Sequence, residues 1–207
     1  MKTPKIPTNY LLSIYRSFWA NYEDTWGKNH PDWFRPHGRD GYRLFGAGNI
    51  QSGFVSEQAL YDKLEGKKMV ADHYLSPQFA SGVPLHFYDK YLCPQSKDPR
   101  RDNGDRDNFD NFCEYMNRLR VVTRVTSKEN KELSKLTDTK SGDFPVVYIP
   151  TNKKYDHLGI KLYEFNITKK LSNNVIEDIL ETQFPLVASE VLHFPADLIE
   201  YEKDFLI

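Results

Sequence analysis

The chain has 207 residues, 39% of them hydrophobic and 14% aromatic, which is enough apolar material for one packed domain. A charged fraction of 28% with a net charge of −1 excludes a disordered chain or a strongly basic tail protein. No apolar run reaches the roughly 20 residues of a membrane span, and the start MKTPKIPTNY holds no apolar run of signal-peptide length, so a cytoplasmic protein that avoids the membrane is expected.

In chain order, Leu11, Leu12, Ile14, Tyr15, Phe18 and Trp19 recur at helical spacing and predict a helix over 8–24 with Thr8 as N-cap. Residues 26–53, rich in Gly, Pro, Asn, Arg and aromatics, read as a long ordered loop. A helix capped by Ser56 runs to about Lys67 and is followed by the strand-like MVADHYL, 69–75. Phe79, Val83, Phe87 and Tyr91 then predict a helix capped by Ser76 with Pro77 at its first position, bent or broken by Gly82 and Pro84. A polar linker over 93–108 leads into a helix over about 107–118. RVVTRVT, 120–126, is the clearest strand, and Ser127 caps the helix that follows it. DFPVVYIP and KLYEFNI read as strands, SNNVIEDILETQ and PADLIEYEKDFL as helices. Short strands mixed irregularly with helices, with no internal repeat, predict a single α+β domain whose C-terminal segment is helical.

Charge divides this chain. Residues 171–207 carry Lys203 as their one base against eight acids, net −7, and the other 170 residues are net +6. The expected organisation is a basic α+β body, 1–170, with an acidic helical segment, 171–207, packed on it. A basic body permits DNA or RNA as partner, and the acidic segment permits a protein partner.

Several chemistries lack their parts. Cys93 and Cys113 form no CxxC pattern, no GxSxG is present, and the glycine-rich stretch RPHGRDGYRLFGAGNIQSG lacks the Lys-Ser/Thr of a phosphate-binding loop. Asp102, Asp105, Asp107 and Asp110 miss the glycine and glutamate positions of a calcium-binding loop. Arg35, Arg39 and Arg43, close to Trp33 and Phe34, suit a sugar-phosphate backbone with stacked bases, and Arg124 joins them as a candidate nucleic-acid contact.

The remaining candidates are Asp72-His73, at the end of an apolar run, and Asn130 in VTSKENKEL. Metal-assisted phosphodiester cleavage needs a base near neutral pH, a carboxylate to hold a hard cation, and a polar side chain to ligate or brace. A structural alternative needs none of this: His73 bonds a backbone carbonyl, Asp72 or Ser76 caps the next helix, and Asn130 is the third residue of a capped helix. Asp156-His157 repeats the pair, and two Asp-His pairs suit a shared metal if the fold brings them together.

Asp72-His73 at a strand end, with Asn130 opening the later stretch, resembles the HNH family of ββα-metal nucleases. The resemblance implies a divalent cation, Mg or Mn, held by Asp72, with His73 as general base and Asn130 as the central Asn. Asp72 and Asn130 stand 58 positions apart, so residues 77–118 would be an insertion. The resulting expectation is a metal-dependent endonuclease, phage-encoded and acting in the host cytoplasm. Its rival is a non-enzymatic phage accessory protein that binds a host or virion protein through an apolar stripe of Leu192, Phe194, Leu198, Tyr201 and Phe205.

Overall fold

A computed structural model describes residues 8–25, 48–92, 106–138 and 145–207. The arginine-rich stretch with Arg35, Arg39 and Arg43, and most of the expected linker, lie outside them.

Helix α1, Thr8–Thr25, packs its apolar stripe on α6, Arg106–Arg118. Tyr15 meets Phe109 and Phe112 edge to face at 5.3 and 5.2 Å, an arrangement aromatic quadrupoles favour. Strand β1, Ile50–Ser56, rises inside the stretch expected as loop. Its glycine hides it: Gly53 has φ 88°, and the pairing register shifts between Gln51 and Val55, as a bulge requires. Ser56 caps α2, Glu57–Leu64, as expected, accepting from the Ala59 N–H at 3.2 Å. Strand β2 follows at Val70–His73.

The predicted helix from Ser76 is broken into α3, Pro77–Ala80, α4, Val83–His86, and α5, Tyr88–Tyr91. Gly82 and Pro84 separate α3 from α4, since proline removes a donor and crowds the preceding turn, and Phe87, with φ −106° and ψ 52°, separates α4 from α5. Strand β3, Val121–Val125, leads into α7, Ser127–Leu133. Strands β4, Thr137–Asp138, and β5, Val146–Val147, form a two-stranded ladder. A 3₁₀ turn, Thr151–Lys153, enters α8, Lys154–His157, and β6 spans Leu162–Glu164. The last helices are α9, Asn173–Thr182, α10, Ala188–Val191, and α11, Ala196–Glu202, which ends in a 3₁₀ turn, Lys203–Phe205.

Four strands make the main sheet in the order β2-β3-β1-β6. β1 and β3 are parallel; β2 is antiparallel to β3 and β6 to β1. The fold is thus mixed α/β, one domain with a helical C-terminus. The acidic segment packs on the body with apolar residues that complete both core clusters. Ile176 and Ile179 join Val55, Leu60 and Phe165 on one side, while Leu198 and Tyr201 join Phe79, Tyr155 and Val125 on the other.

Candidate functional site

Strand β2 lies at the sheet edge and ends on Asp72 and His73; β3 pairs with it and runs directly into α7, which packs back against β2. The order strand, antiparallel strand, helix brings Asn130, on α7, into the wall of a cleft of about 500 Å³ that Asp72 and His73 also line. Thr151 and Lys154 contribute to the same cleft, and Ser134, Lys135 and Asp138 stand nearby.

The helix carrying Asn130 is set by its cap. Thr126, one residue earlier than expected, accepts from the Glu129 N–H at 3.0 Å, while Glu129 Oε2 accepts from the Thr126 N–H at 2.7 Å. Asn130 therefore begins the second turn of a capping-box helix, with its backbone N–H on Thr126 O.

Asp72 is buried, and its Oδ2 accepts from Lys154 Nζ at 2.9 Å and from the Tyr155 hydroxyl at 2.5 Å. Lys154 Nζ also donates to the His73 carbonyl at 3.0 Å, so one ammonium fixes both residues of the pair. Burial, then the Asp72 charge, raises the Tyr155 hydroxyl well above its ordinary range and keeps it a donor. His73 is half-buried, with Nε2 3.3 Å from Asn49 Oδ1. Burial lowers its pKa, Asp72 opposes that, and Lys154 adds to the lowering, so neutral imidazole is the form present at pH 7.

Behind the cleft, Glu202 is buried and accepts the Thr151 N–H with Oε1 at 3.2 Å and Oε2 at 3.1 Å, and the Thr151 hydroxyl donates to Oε1. Burial raises the Glu202 carboxyl; the Thr151 hydrogen bonds and the Lys154 charge act the other way.

The second Asp-His pair has another task. Asp156 accepts the Ala188 N–H on Oδ1 at 3.0 Å and the Ser189 N–H on Oδ2 at 3.3 Å, capping the short helix α10, and His157 is exposed. The two stretches do meet, through Lys154 and Tyr155 rather than Asp156 and His157. Arg124 shares the sheet face of His73, because residues facing each other across antiparallel strands share a face and His73 faces Val122 while Ala71 faces Arg124. It is engaged within the protein, donating to Gln51 Oε1 at 3.1 Å with its guanidinium 4.6 Å from the Phe165 ring centre.

These contacts test the expected cation. An Asp72 oxygen already holds an ammonium and a phenol, and a Mg or Mn ion at about 2.0–2.1 Å from the same carboxylate would lie beside Nζ, like charges in a half-dry site. Asp156 has both oxygens on backbone donors. The donor set does not fit a divalent cation held by Asp72, Asp156 and His157.

Sequence reasoning passed over Lys154, Tyr155, Thr151 and Glu202. Only Glu202 left a signal: it stands four residues after Leu198 and beside Tyr201, an acid on an apolar helical stripe. Compared with protein-family models, curated proteins and solved structures, the chain matches none of them.

Proposed function

We propose that the cleft between β2 and α7 is the reaction centre of a nuclease of HNH-like arrangement, acting on nucleic-acid phosphodiesters. One observation carries the reading: a strand–strand–helix unit gathers Asp72, His73 and Asn130 around a single cleft although 58 positions separate the first from the last. Neutral His73 takes a proton from the attacking oxygen, and general-base assistance of this kind contributes about 10²–10⁴-fold. The Asn130 amide supplies a donor for a phosphate oxygen. Asp72 acts as a positioning residue, holding Lys154 and, through it, the His73 carbonyl.

The test is cleavage of plasmid, single-stranded DNA and RNA by the parent and by His73→Ala, each with Mg²⁺, Mn²⁺ or EDTA. Cutting by the parent and about 10²-fold or greater loss in the variant is the expected result. Equal cutting by both sinks the reading.

The accessory-protein reading, in which the acidic segment binds a partner protein, draws on one observation: Phe184, in that segment, is 88% exposed. The stripe expected to form its binding face is engaged internally, with Leu192, Leu198 and Tyr201 buried and Phe194 and Phe205 packed against the core. Absence of cleavage under every condition favours this second reading.

A further inference from the structure

We infer that the cleft cleaves RNA without a metal ion, with the Lys154 ammonium supplying the positive charge at the phosphate; the inference rests on the nuclease reading above. Lysine carries three N–H donors. Two are engaged, on Asp72 Oδ2 at 2.9 Å and His73 O at 3.0 Å, and among the described residues the third has no hydrogen-bond acceptor. Lys154 lines the cleft beside His73 and Asn130. The side chains of Lys154 and Asp72 are each 9% exposed, and Tyr155 anchors the same Asp72 oxygen from behind. The ammonium is therefore held in place before substrate arrives, and a donor fixed in advance in a half-dry site stabilises developing charge without reorganisation.

That arrangement selects the nucleophile. Attack by an external water on a phosphodiester leans heavily on metal charge, and the buried carboxylate of this cleft, Asp72, already holds the Lys154 ammonium and the Tyr155 hydroxyl. A ribose 2′-hydroxyl lies next to its own phosphorus, and intramolecular attack is worth effective molarities of about 10⁵–10⁸ M. A base and a fixed ammonium then suffice. His73 takes the proton from the 2′-hydroxyl, the O2′–P bond forms and the P–O5′ bond breaks, its electron pair leaving with O5′. O5′ takes a proton from water, and the proton on His73 neutralises the hydroxide left behind. The products are a 2′,3′-cyclic phosphate and a 5′-hydroxyl, and deoxyribose cannot enter this path.

The experiment uses the full chain with a single-stranded RNA, the DNA of the same sequence, and the RNA carrying one 2′-deoxy residue, each in excess EDTA and in Mg²⁺. The expected result is RNA cleavage at the same rate in both buffers, ending in cyclic phosphate and failing at the 2′-deoxy step, with DNA intact. Lys154→Met should slow cleavage about 10²-fold or more. Because that variant strands Asp72, the double variant Asp72→Asn/Lys154→Met, which removes both charges, is compared with it after circular dichroism verifies its fold. Parent-like cleavage by a folded double variant overturns the inference. Cleavage that requires Mg²⁺, or that cuts DNA as readily, overturns it and leaves the nuclease reading standing. No cleavage in any buffer overturns both.

Discussion

Without the Lys154 ammonium, the Asp72 carboxylate would be buried with the Tyr155 hydroxyl as its remaining side-chain donor among the described residues. Breaking a buried pair from one side costs about 3–5 kcal/mol, because the stranded charge keeps its desolvation penalty. Lys154→Met should therefore lose stability of that order in urea unfolding, and Asp72→Asn on the same background should recover part of it; a lone Lys154→Met as stable as the parent would rule the pair out as a structural element. Glu202 makes a prediction in pH. Its carboxyl is raised above the ordinary value of 4.5, chiefly by burial, so the folded chain keeps that proton to higher pH than the unfolded chain does. Stability falls as pH rises from about the ordinary value through the raised one, and the loss is complete above it. Glu202→Gln keeps an acceptor for the Thr151 N–H and removes this slope, which melting temperatures between about pH 4 and 8 would reveal. Cys113 is a third case: burial, reinforced by Asp110, pushes its thiol up to about 12, leaving little thiolate at neutral pH. Peptide mapping after brief alkylation of the native protein should find Cys113 largely unmodified and, after unfolding, fully modified.

Two helix caps share one carboxylate. Glu129 Oε2 accepts from the Thr126 N–H and from the Ser56 hydroxyl, both at 2.7 Å, and Ser56 itself caps α2. The start of α7, which carries Asn130, is thereby tied to the start of α2 across the parallel strands β1 and β3. Thr126→Ala should cost about 1 kcal/mol, the usual worth of an N-cap. Glu129→Ala removes acceptors from both starts and should cost about 1.5–3 kcal/mol, the range for hydrogen bonds to a charged group. In a double-mutant cycle of Ser56→Ala with Glu129→Ala the effects should fall short of additivity, and strict additivity would deny the shared acceptor. At this scale the sequence was legible where a local rule acts alone. Ser56 caps α2, Val121–Val125 is a strand, and Gly82 with Pro84 breaks the helix after Ser76. It was less legible where tertiary contacts choose. Thr126 rather than Ser127 became the cap because Glu129 falls three residues after it, and β1 was hidden because a bulge at Gly53 interrupts its alternation.

Across the whole molecule, the cleft depends on residues from three distant parts of the chain. Asp72 and His73 come from β2, Asn130 from α7, and Lys154 and Thr151 from the segment before β6. Asp72 and Lys154 are 82 positions apart, and no periodicity or spacing encodes such a meeting; the sequence revealed two polar stretches and mistook which of their residues converge. The acidic segment 171–207 adds a further dependence. Apart from buried Glu202 and half-buried Asp197 its charges are exposed, but Leu198 and Tyr201 are buried in the main core, and Glu202 holds Thr151 from behind the cleft. An appendage can be removed and leave a folded body; a segment that fills the core cannot. Ending the chain after residue 195 deletes Leu198, Tyr201 and Glu202 together and opens the ring stack in which Phe79 lies 5.0 Å from Tyr201 and 5.3 Å from Phe205. Loss of a buried Leu alone costs about 2–5 kcal/mol and of an aromatic about 3–5, against a total stability of about 5–15 kcal/mol. The truncated chain should therefore show no cooperative thermal transition and a flattened near-ultraviolet dichroism spectrum. A sharp transition would mean that residues 1–195 hold a core of their own, and that the cleft keeps its shape without Glu202 behind it.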